Sequence, residues 1–293
     1  MIVVASHDGE YFFTTSLRAN KIVQRSISSN NVVQIFQKDD LRVISLAISE
    51  DCKYMVIGNV DGSVQLWDIQ NATLLQTFSK KNCIFAKVYI VNDGKYIVTW
   101  WIGGEVEVRD LHTTKILQRI KKTNFSHLSR LFIAGNGCFI VEYIKETSIV
   151  IWDLFKGEKL YVLDDEKYMN INAITVSDHG DMLFYVLFDG TLEAFDLSKR
   201  EISYTISLIS PYTKRLYTTA SGNYLMAANI HGVEIWDTVE KQYLYHKTGN
   251  MISGSFAFVN QSPYVIYSDS QNITLCNIQN DEKIWSINLV DLI

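Results

Sequence analysis

Paired charges in predicted loops are the residues of this sequence best suited to binding a partner. Lysine pairs occur at Lys80–Lys81 and Lys121–Lys122, and an acidic run follows at Asp164–Asp165–Glu166. Phe125 and Tyr168 stand close to these charges in the sequence. Mixed charges steer a partner and set its orientation, whereas aromatic side chains carry much of the binding energy. Residues of these types are suited to binding another protein rather than to catalysis. The candidate partner-binding residues are Lys80, Lys81, Lys121, Lys122, Phe125, Asp164, Asp165 and Tyr168.

Two consecutive tryptophans, Trp100 and Trp101, offer a second candidate for ligand binding. Successive residues of a strand point to opposite faces. Core packing is therefore the expected role of both side chains if both faces of this strand are covered. Trp101 is nearer to the predicted Gly103–Gly104 turn, and it is the one expected to reach the rim and contribute to binding.

Sequence motifs for catalysis and for cofactor binding are absent. Gly135-x-Gly137 lacks the third glycine and the following helix of a dinucleotide-binding loop. There is no nucleophile elbow, paired-histidine zinc motif or phosphate loop, and the cysteines show no metal-ligand spacing (Cys52, Cys83, Cys138 and Cys276). The sequence therefore predicts a protein that is not an enzyme, with no cofactor and no metal site.

These residues are set within a pattern that recurs along the whole chain. Its best copy, Tyr54 to Phe78, reads as three short strands joined by an Asp61–Gly62 turn and a polar turn after Asp68. The residues aligned with Asp68 fall at positions 26, 68, 110, 153, 196, 237 and 277, about 40–45 residues apart. Turns of the Asp-Gly and Asn-Gly type supply the positive φ that short hairpins need. The pattern predicts four strands in each of seven units.

Three true Trp-Asp pairs at this spacing resemble the WD-repeat family, and the resemblance covers the entire chain. It implies an all-β fold, a single seven-bladed β-propeller over residues 1–293 with four-stranded antiparallel blades. The predicted blades are 1–38, 39–80, 81–122, 123–164, 165–207, 208–247 and 248–288, with a tail at 289–293.

The resemblance also implies a structural role for ten residues of the repeat. They are Asp61, Trp67, Asp68, Asp110, Trp152, Asp153, Asp189, Asp196, Trp236 and Asp237. In the family, the tryptophan, a strand-two Ser or Thr, a histidine and a turn aspartate form a hydrogen-bonded core. No Gly-His dipeptide occurs in this chain, so we expect this network to be at most partial.

The sequence is compatible with three ways of closing the ring of blades. Family members commonly complete the last blade with a strand from the chain start. Here the register places four strands in the first unit and four in the last, which leaves Leu289–Ile293 over. The three alternatives are that the ring closes by face packing, that the tail adds a strand, and that the chain is one module of a longer protein.

Composition narrows the classes of partner. A net charge of −5 and a pI near 5.7 argue against nucleic-acid binding as the main task. No apolar run reaches the roughly 18 residues of a membrane span, and the first residues lack the pattern of a signal peptide. We expect reduced cysteines and a cytoplasmic or nuclear protein.

Three functions remain in competition. The first is a non-catalytic scaffold that binds protein or peptide partners, within a larger complex or as a module of a larger protein. The second is a propeller enzyme with a site in the central channel, and the third is lipid or RNA binding through the basic stretch Arg109–Lys122. For the scaffold, reversing Lys80, Lys81, Lys121 and Lys122 to Glu is expected to weaken partner capture without lowering the melting temperature.

Overall fold

The protein is described by a computed structural model that contains seven four-stranded sheets. It describes residues 2–15, 21–37, 42–80, 83, 86–101, 105–121, 129–144, 147–177, 181–210, 212–219, 221–248, 255–259, 262, 264–268, 271–280 and 282–288. In every sheet the strands are antiparallel and follow chain order. These sheets are the blades of a β-propeller, which confirms the fold class predicted from the sequence.

Blades one, two, three and seven belong to one compact unit, which comprises residues 1–127, 254–277 and 282–293. The strands of blades one and two are β1 Val3–Ala5, β2 Tyr11–Thr15, β3 Lys21–Ser26, β4 Val32–Gln37, β5 Val43–Ile48, β6 Tyr54–Asn59, β7 Ser63–Asp68 and β8 Thr73–Ser79. Those of blade three are β9 Ala86–Val91, β10 Tyr96–Trp101, β11 Glu105–Asp110 and β12 Ile116–Lys121. Those of blade seven are β25 Phe256–Phe258, β26 Tyr264–Ser268, β27 Asn272–Asn277 and β28 Lys283–Asn288.

Blades four, five and six belong to a second compact unit, which comprises residues 128–253 and 278–281. Blade four contains β13 Ser129–Ala134, β14 Phe139–Ile144, β15 Ser148–Asp153 and β16 Lys159–Leu163. Blade five contains β17 Ile171–Val176, β18 Met182–Leu187, β19 Thr191–Asp196 and β20 Glu201–Ser207, and blade six β21 Arg215–Thr218, β22 Tyr224–Ala228, β23 Gly232–Asp237 and β24 Gln242–Thr248. Single 3-10 turns occur at Gly135–Gly137 and Glu166–Asn170. That the whole chain is one domain remains a prediction.

A β-bulge lies between the third and fourth strands of every blade, at the position of the Trp-Asp repeat. In blade two the register shifts between Leu66 and Trp67, and the other six blades shift at the equivalent positions. The residue after the bulge then caps the following turn. Asp68 Oδ1 accepts from the backbone N–H of Asn71 at 3.0 Å. The 42-residue period therefore marks a backbone feature, a bulge followed by a side-chain-capped turn.

The second and third strands of the blades are the most deeply buried. In blade two, β6 and β7 are buried along nearly their full length, whereas the outer strand β8 is exposed at almost every position. Continuous apolar sequence in the inner strands follows from this, because both of their faces are covered by neighbouring sheets. None of the described residues forms a helix long and apolar enough to cross a membrane.

The first and last blades pack face to face in the first unit. The Phe12 and Trp285 rings are stacked with centroids 5.2 Å apart, and Trp285 Nε1 donates to the carbonyl of Ile27 at 2.7 Å. The backbone N–H of Val3 donates to Ser255 Oγ at 3.1 Å. Each blade is built from its own contiguous strands, so face packing without strand exchange joins them. Leu289–Ile293 lie outside the described residues.

Candidate functional site

Each blade has two ends, because its strands are antiparallel. At the loop end the second strand turns into the third and the fourth strand leaves for the next blade; the turn end carries the other two hairpin turns. Apolar side chains that are 43–73% exposed gather at the loop end in the second unit. We call them the apolar loop patch: Met169, Phe188, Ile209, Tyr212 and Ile230.

The segment before blade five is fixed by a buried hydrogen-bond network. Glu193 on β19 accepts from Lys167 Nζ at 2.9 Å and from the Tyr185 hydroxyl at 2.5 Å. Burial lowers the pKa of Lys167, but its interactions with Glu193 and Tyr168 together outweigh burial, and the pKa lies above its usual range. Burial and the same carboxylate raise the pKa of Tyr185. The network positions the 3-10 turn that leaves Met169 exposed.

Phe188 projects from the tight turn between β18 and β19. Gly190 closes this turn with a φ of +88°, and its N–H donates to the carbonyl of Leu187 at 3.1 Å. Asp189 Oδ1 accepts from the N–H of Thr191 at 2.9 Å. The ring of Phe188 is 73% exposed. It borders a cavity of about 390 Å³, also lined by Lys167, Asn170, Leu187 and Asp189.

The segment between blades five and six is held by a buried carboxylate. Glu234, 1% exposed, accepts from the N–H groups of Ile209 and Ser210, both at 3.0 Å. The same side chain accepts from Trp236 Nε1 at 3.1 Å. Because the N–H of Leu208 donates to the carbonyl of Gly190 at 3.2 Å, this segment adjoins the Phe188 turn.

Ile230 lies in the turn between β22 and β23. Asn229 Oδ1 caps this turn by accepting from the N–H groups of His231 at 2.6 Å and Gly232 at 3.1 Å. The capped turn leaves Ile230 exposed at the same end of blade six as Ile209. The segments of the patch are therefore held by two side-chain caps (Asp189 and Asn229), two backbone hydrogen bonds and two buried carboxylates (Glu193 and Glu234).

Charges of both signs flank the apolar loop patch. Asp164, Asp165, Glu166 and Asp189 are exposed at this end of blade five and the segment that enters it. Lys214 and Arg215, which begin blade six, are also exposed. This arrangement has an apolar centre and a charged rim, and it is suited to recognition.

Of the predicted partner-binding residues in this unit, Tyr168 is placed differently from the prediction. Asp164 and Asp165 are exposed, but Tyr168 is only 6% exposed. Its ring packs edge-on against Tyr185 with centroids 5.6 Å apart. The prediction that Tyr168 is a surface anchor is corrected, because the 3-10 turn directs it inward and exposes Met169 instead.

The predicted basic residues lie in the first unit, and their placement changes the prediction. Lys80 Nζ forms an ion pair with Glu105 and lies 5.4 Å from the centre of the Trp101 ring. Lys121 ends β12, opposite Glu105 in the sheet register. Lys81, Lys122 and Phe125 lie outside the described residues. Lys80 is therefore neutralised by Glu105 on β11 of blade three, and the basic sector remains a prediction at the other positions.

Trp101 does not reach the rim. It is 1% exposed, and its Nε1 donates to the carbonyl of Gly62 on blade two at 3.0 Å. Burial of the indole with a satisfied N–H makes Trp101 a packing residue between blades two and three. The prediction that it contributes to binding at the rim is corrected.

Lys80→Glu tests the ion pair directly. The change places a third carboxylate beside Glu105 and Glu107 and removes the contact with Trp101. Because the pair is partly buried, we expect a loss between the values for exposed and for buried pairs, about 1–2 kcal/mol in the free energy of unfolding, measured by urea denaturation. The Lys80 side chain is 27% exposed, so the effect should shrink in high salt. An unchanged urea midpoint of Lys80→Glu would contradict this and would support the expectation from sequence that charge reversal at Lys80 does not lower stability.

The repeat residues form local contacts, and acidic or amide side chains partner the tryptophans. Trp67 Nε1 donates to Gln65 at 3.4 Å and Trp152 Nε1 to Glu142 at 3.3 Å, as Trp236 does to Glu234. Aspartates in the turns accept backbone N–H groups two or three residues on, at Asp61, Asp68, Asp110, Asp153, Asp189, Asp196 and Asp237. The indoles thus use Gln and Glu where the family uses a network with Ser or Thr and His.

Sequence reasoning missed the apolar loop patch. The repeat pattern predicts a strand over Met182–Phe188, but β18 ends at Leu187 and leaves Phe188 in the turn. The available signal was the position of Phe188, Ile209 and Ile230 beside predicted turn residues, where apolar side chains are uncommon. Among the described residues, no group of three or more His, Cys, Asp or Glu side chains is arranged to hold a metal ion.

Seven antiparallel four-stranded blades, each with a bulge at the repeat position, define a β-propeller. Together with a family match over residues 13–92, this fold supports the WD-repeat β-propeller family that the sequence resembles. Residues 13–92 match the family described as the anaphase-promoting complex subunit 4 WD40 domain, from the second strand of blade one to the end of β9. No curated protein matches the chain.

Proposed function

We propose that this protein is a non-catalytic scaffold that binds a protein or peptide partner at the apolar loop patch. WD-repeat propellers are typically interaction scaffolds, which supports the general role. The observation that carries the specific proposal is the grouping of five exposed apolar side chains at one end of blades five and six. Single exposed apolar residues are ordinary, but a group with a polar rim is typical of interaction sites.

The rigidity of the patch supports binding of a preformed partner surface. Its segments are fixed by Glu193, Glu234 and Asn229, so little ordering is needed on association. Pre-organised contacts keep the entropic cost of binding low. Phe188 and Tyr212 are the large side chains of the patch, and we propose them as the anchors.

The description of the matching family names a subunit of a complex. By analogy, we propose that this chain also works as a subunit of a larger protein assembly, in the cytoplasm or nucleus. The patch then supplies a contact with a neighbouring subunit. The exposed acids Asp164, Asp165, Glu166 and Asp189 favour a partner with complementary basic residues beside its apolar contact.

The double variant Phe188→Ser, Ile209→Ser tests this function. Both side chains are exposed, so the melting temperature should change little while partner capture falls at least tenfold, because hot-spot truncations cost about 2 kcal/mol or more. Capture is measured by quantitative mass spectrometry of proteins retained from the native cell extract.

A matched control is available at the turn end of the same unit. Phe155 and Val239 are 41% and 62% exposed there, and Phe155→Ser, Val239→Ser removes comparable apolar surface. Partners that depend on the loop patch should be retained by this control. If both double variants capture the same proteins in the same amounts, the patch is not the binding site.

A further inference from the structure

A second cavity opens at the turn end of the first unit, between blades one and two. Its volume is about 360 Å³, and its lining includes Asp8, Tyr11, Phe13, Gln24 and Cys52. These residues come from the first hairpin turns of both blades and from inner strands of blade one. The cavity belongs to different blades, and to the opposite blade end, from the apolar loop patch.

A buried amide oxygen without a hydrogen-bond partner in the described part of the chain borders this cavity. Gln24 is 5% exposed, and its Oε1 accepts no hydrogen bond from any group in the described part of the chain. An unsatisfied buried acceptor costs free energy, and native structures contain few of them. The last torsion of a glutamine side chain is broad, so the amide can turn its oxygen toward a donor that enters the cavity.

Carboxylates dominate the turns around the opening. Asp8 and Glu10 lie on the turn of blade one, and Glu50 and Asp51 on that of blade two, all exposed. Lys53 also lines the cavity and is paired with Asp51 at 3.1 Å. Arg25, next to Gln24 on β3, donates to the carbonyl of Asn30 at 3.1 Å. The opening is therefore net acidic.

Asp8 is held in its charged form. Burial raises its pKa, but hydrogen bonds from Ser6 Oγ at 2.5 Å and from the Glu10 N–H at 3.0 Å outweigh burial, and the pKa lies below its usual range. The Cys52 thiol of blade two also contacts Asp8, and burial together with this carboxylate raises the thiol pKa. A fixed negative charge therefore stands at the opening between the two blades.

The cavity wall is part aromatic. Phe13 is nearly inaccessible to solvent and packs against Phe36, with ring centroids 6.2 Å apart. Tyr11 is half-buried beside it, and Gln34 Nε2 donates across the blade boundary to the carbonyl of Ile69 at 3.0 Å. An apolar stem with a cationic head fits such surroundings, since aromatic rings attract cations.

We propose that this cavity, which we call the interblade pocket, binds the arginine side chain of a protein partner. The guanidinium donates to Asp8 and to the reoriented Gln24 Oε1, and its stem packs along Tyr11 and Phe13. Arginine fits better than lysine, because its planar head carries five donors and is weakly hydrated. Two separated acceptors can therefore be satisfied by one side chain.

Binding of N-acetyl-arginine N-methylamide to the full chain tests the proposal, with calorimetry or saturation-transfer NMR as the readout. We expect saturable binding with a Kd on the order of 1 mM, as suits a ligand of this size. The corresponding citrulline amide keeps the shape and lacks the charge, and it should bind at least tenfold more weakly. The lysine amide should also bind several-fold more weakly.

Two variants locate the site. Gln24→Met keeps the side-chain length without the amide, and Asp8→Asn removes the charge at an exposed position. Each should weaken binding of the arginine probe about tenfold, because hydrogen bonds to charged groups are worth roughly that factor. Asp61→Asn removes a comparable exposed turn carboxylate at the loop end of blade two, and it should leave Kd unchanged.

Several results would overturn the interblade pocket. They are the absence of saturable binding by the arginine probe, equal binding of the citrulline amide or the lysine amide, and unchanged affinity in a folded Gln24→Met protein. If Gln24→Met fails to fold, Asp8→Asn decides the matter, since its side chain is exposed. Loss of binding in Asp61→Asn to the same extent would also exclude this location.

Discussion

Glu234→Ala should lower the free energy of unfolding by about 3 kcal/mol, because one truncation leaves several buried donors unpaired. The carboxylate accepts from the N–H groups of Ile209 and Ser210 and from the indole of Trp236. It is 1% exposed, so water replaces it poorly. Urea denaturation of the full chain measures the loss.

The same variant should also weaken partner capture, which links stability to function. Without Glu234, the segment that carries Ile209 and Tyr212 loses its attachment to β23. Amide hydrogen exchange should therefore accelerate at Ile209 and Ser210 even under conditions where the protein remains folded. Glu240→Ala is the matched control, because Glu240 is exposed at the turn end of the same blade. Equal stability of the two variants would contradict the anchoring role of Glu234.

Glu107→Ala should cost about 3–5 kcal/mol, the range expected when one member of a buried ion pair is removed. Glu107 Oε2 lies 2.7 Å from Arg109 Nη2, and Glu107 Oε1 lies 3.2 Å from Arg119 Nε. The Glu107 and Arg109 side chains are only 3% and 13% exposed. Truncation leaves the Arg109 guanidinium buried with one contact fewer, and thermal or urea unfolding reports the loss.

A double variant distinguishes the ion pair from simple packing. Glu107→Leu, Arg109→Met removes both charges, and it should recover much of the stability lost in Glu107→Ala, because no uncompensated charge stays buried. Glu10→Ala, at an exposed carboxylate in the same unit, should change stability by less than about 0.5 kcal/mol. A double variant as unstable as Glu107→Ala would show that the carboxylate acts through shape rather than charge.

The repeat made the blades predictable because it combines turn chemistry with a fixed spacing. The repeat pattern predicts strands over Tyr96–Trp101, Phe139–Ile144 and Lys159–Leu163, and the structure has these strands with the same bounds. Most other predicted strands differ by one or two residues at an end. Asp-Gly turns and apolar runs are local signals, so they survive even where the Trp-Asp pair is degraded.

The candidate site was not predictable in the same way, because exposure depends on where a turn ends. Moving one strand boundary by a single residue places Phe188 in the core or at the surface. Tyr168 shows the opposite change. The sequence predicts that it is exposed, but a 3-10 turn directs its side chain inward onto Tyr185. The anchoring roles of buried Glu193 and Glu234 have no local signature, since Lys167, Ile209 and Ser210 lie in other segments.

The bulge beside each capped turn bears on how degenerate propeller repeats are recognised. The residue at the bulge is Trp in three blades and Arg, Phe or Cys in the others, whereas its successor always carries a side-chain oxygen: Ser26, Asp68, Asp110, Asp153, Asp196, Asp237 or Asn277. A search profile weighted toward tryptophan detects fewer than half of these blades. An oxygen-bearing residue at this position is shared by all seven, so highly diverged propellers should be sought by that criterion.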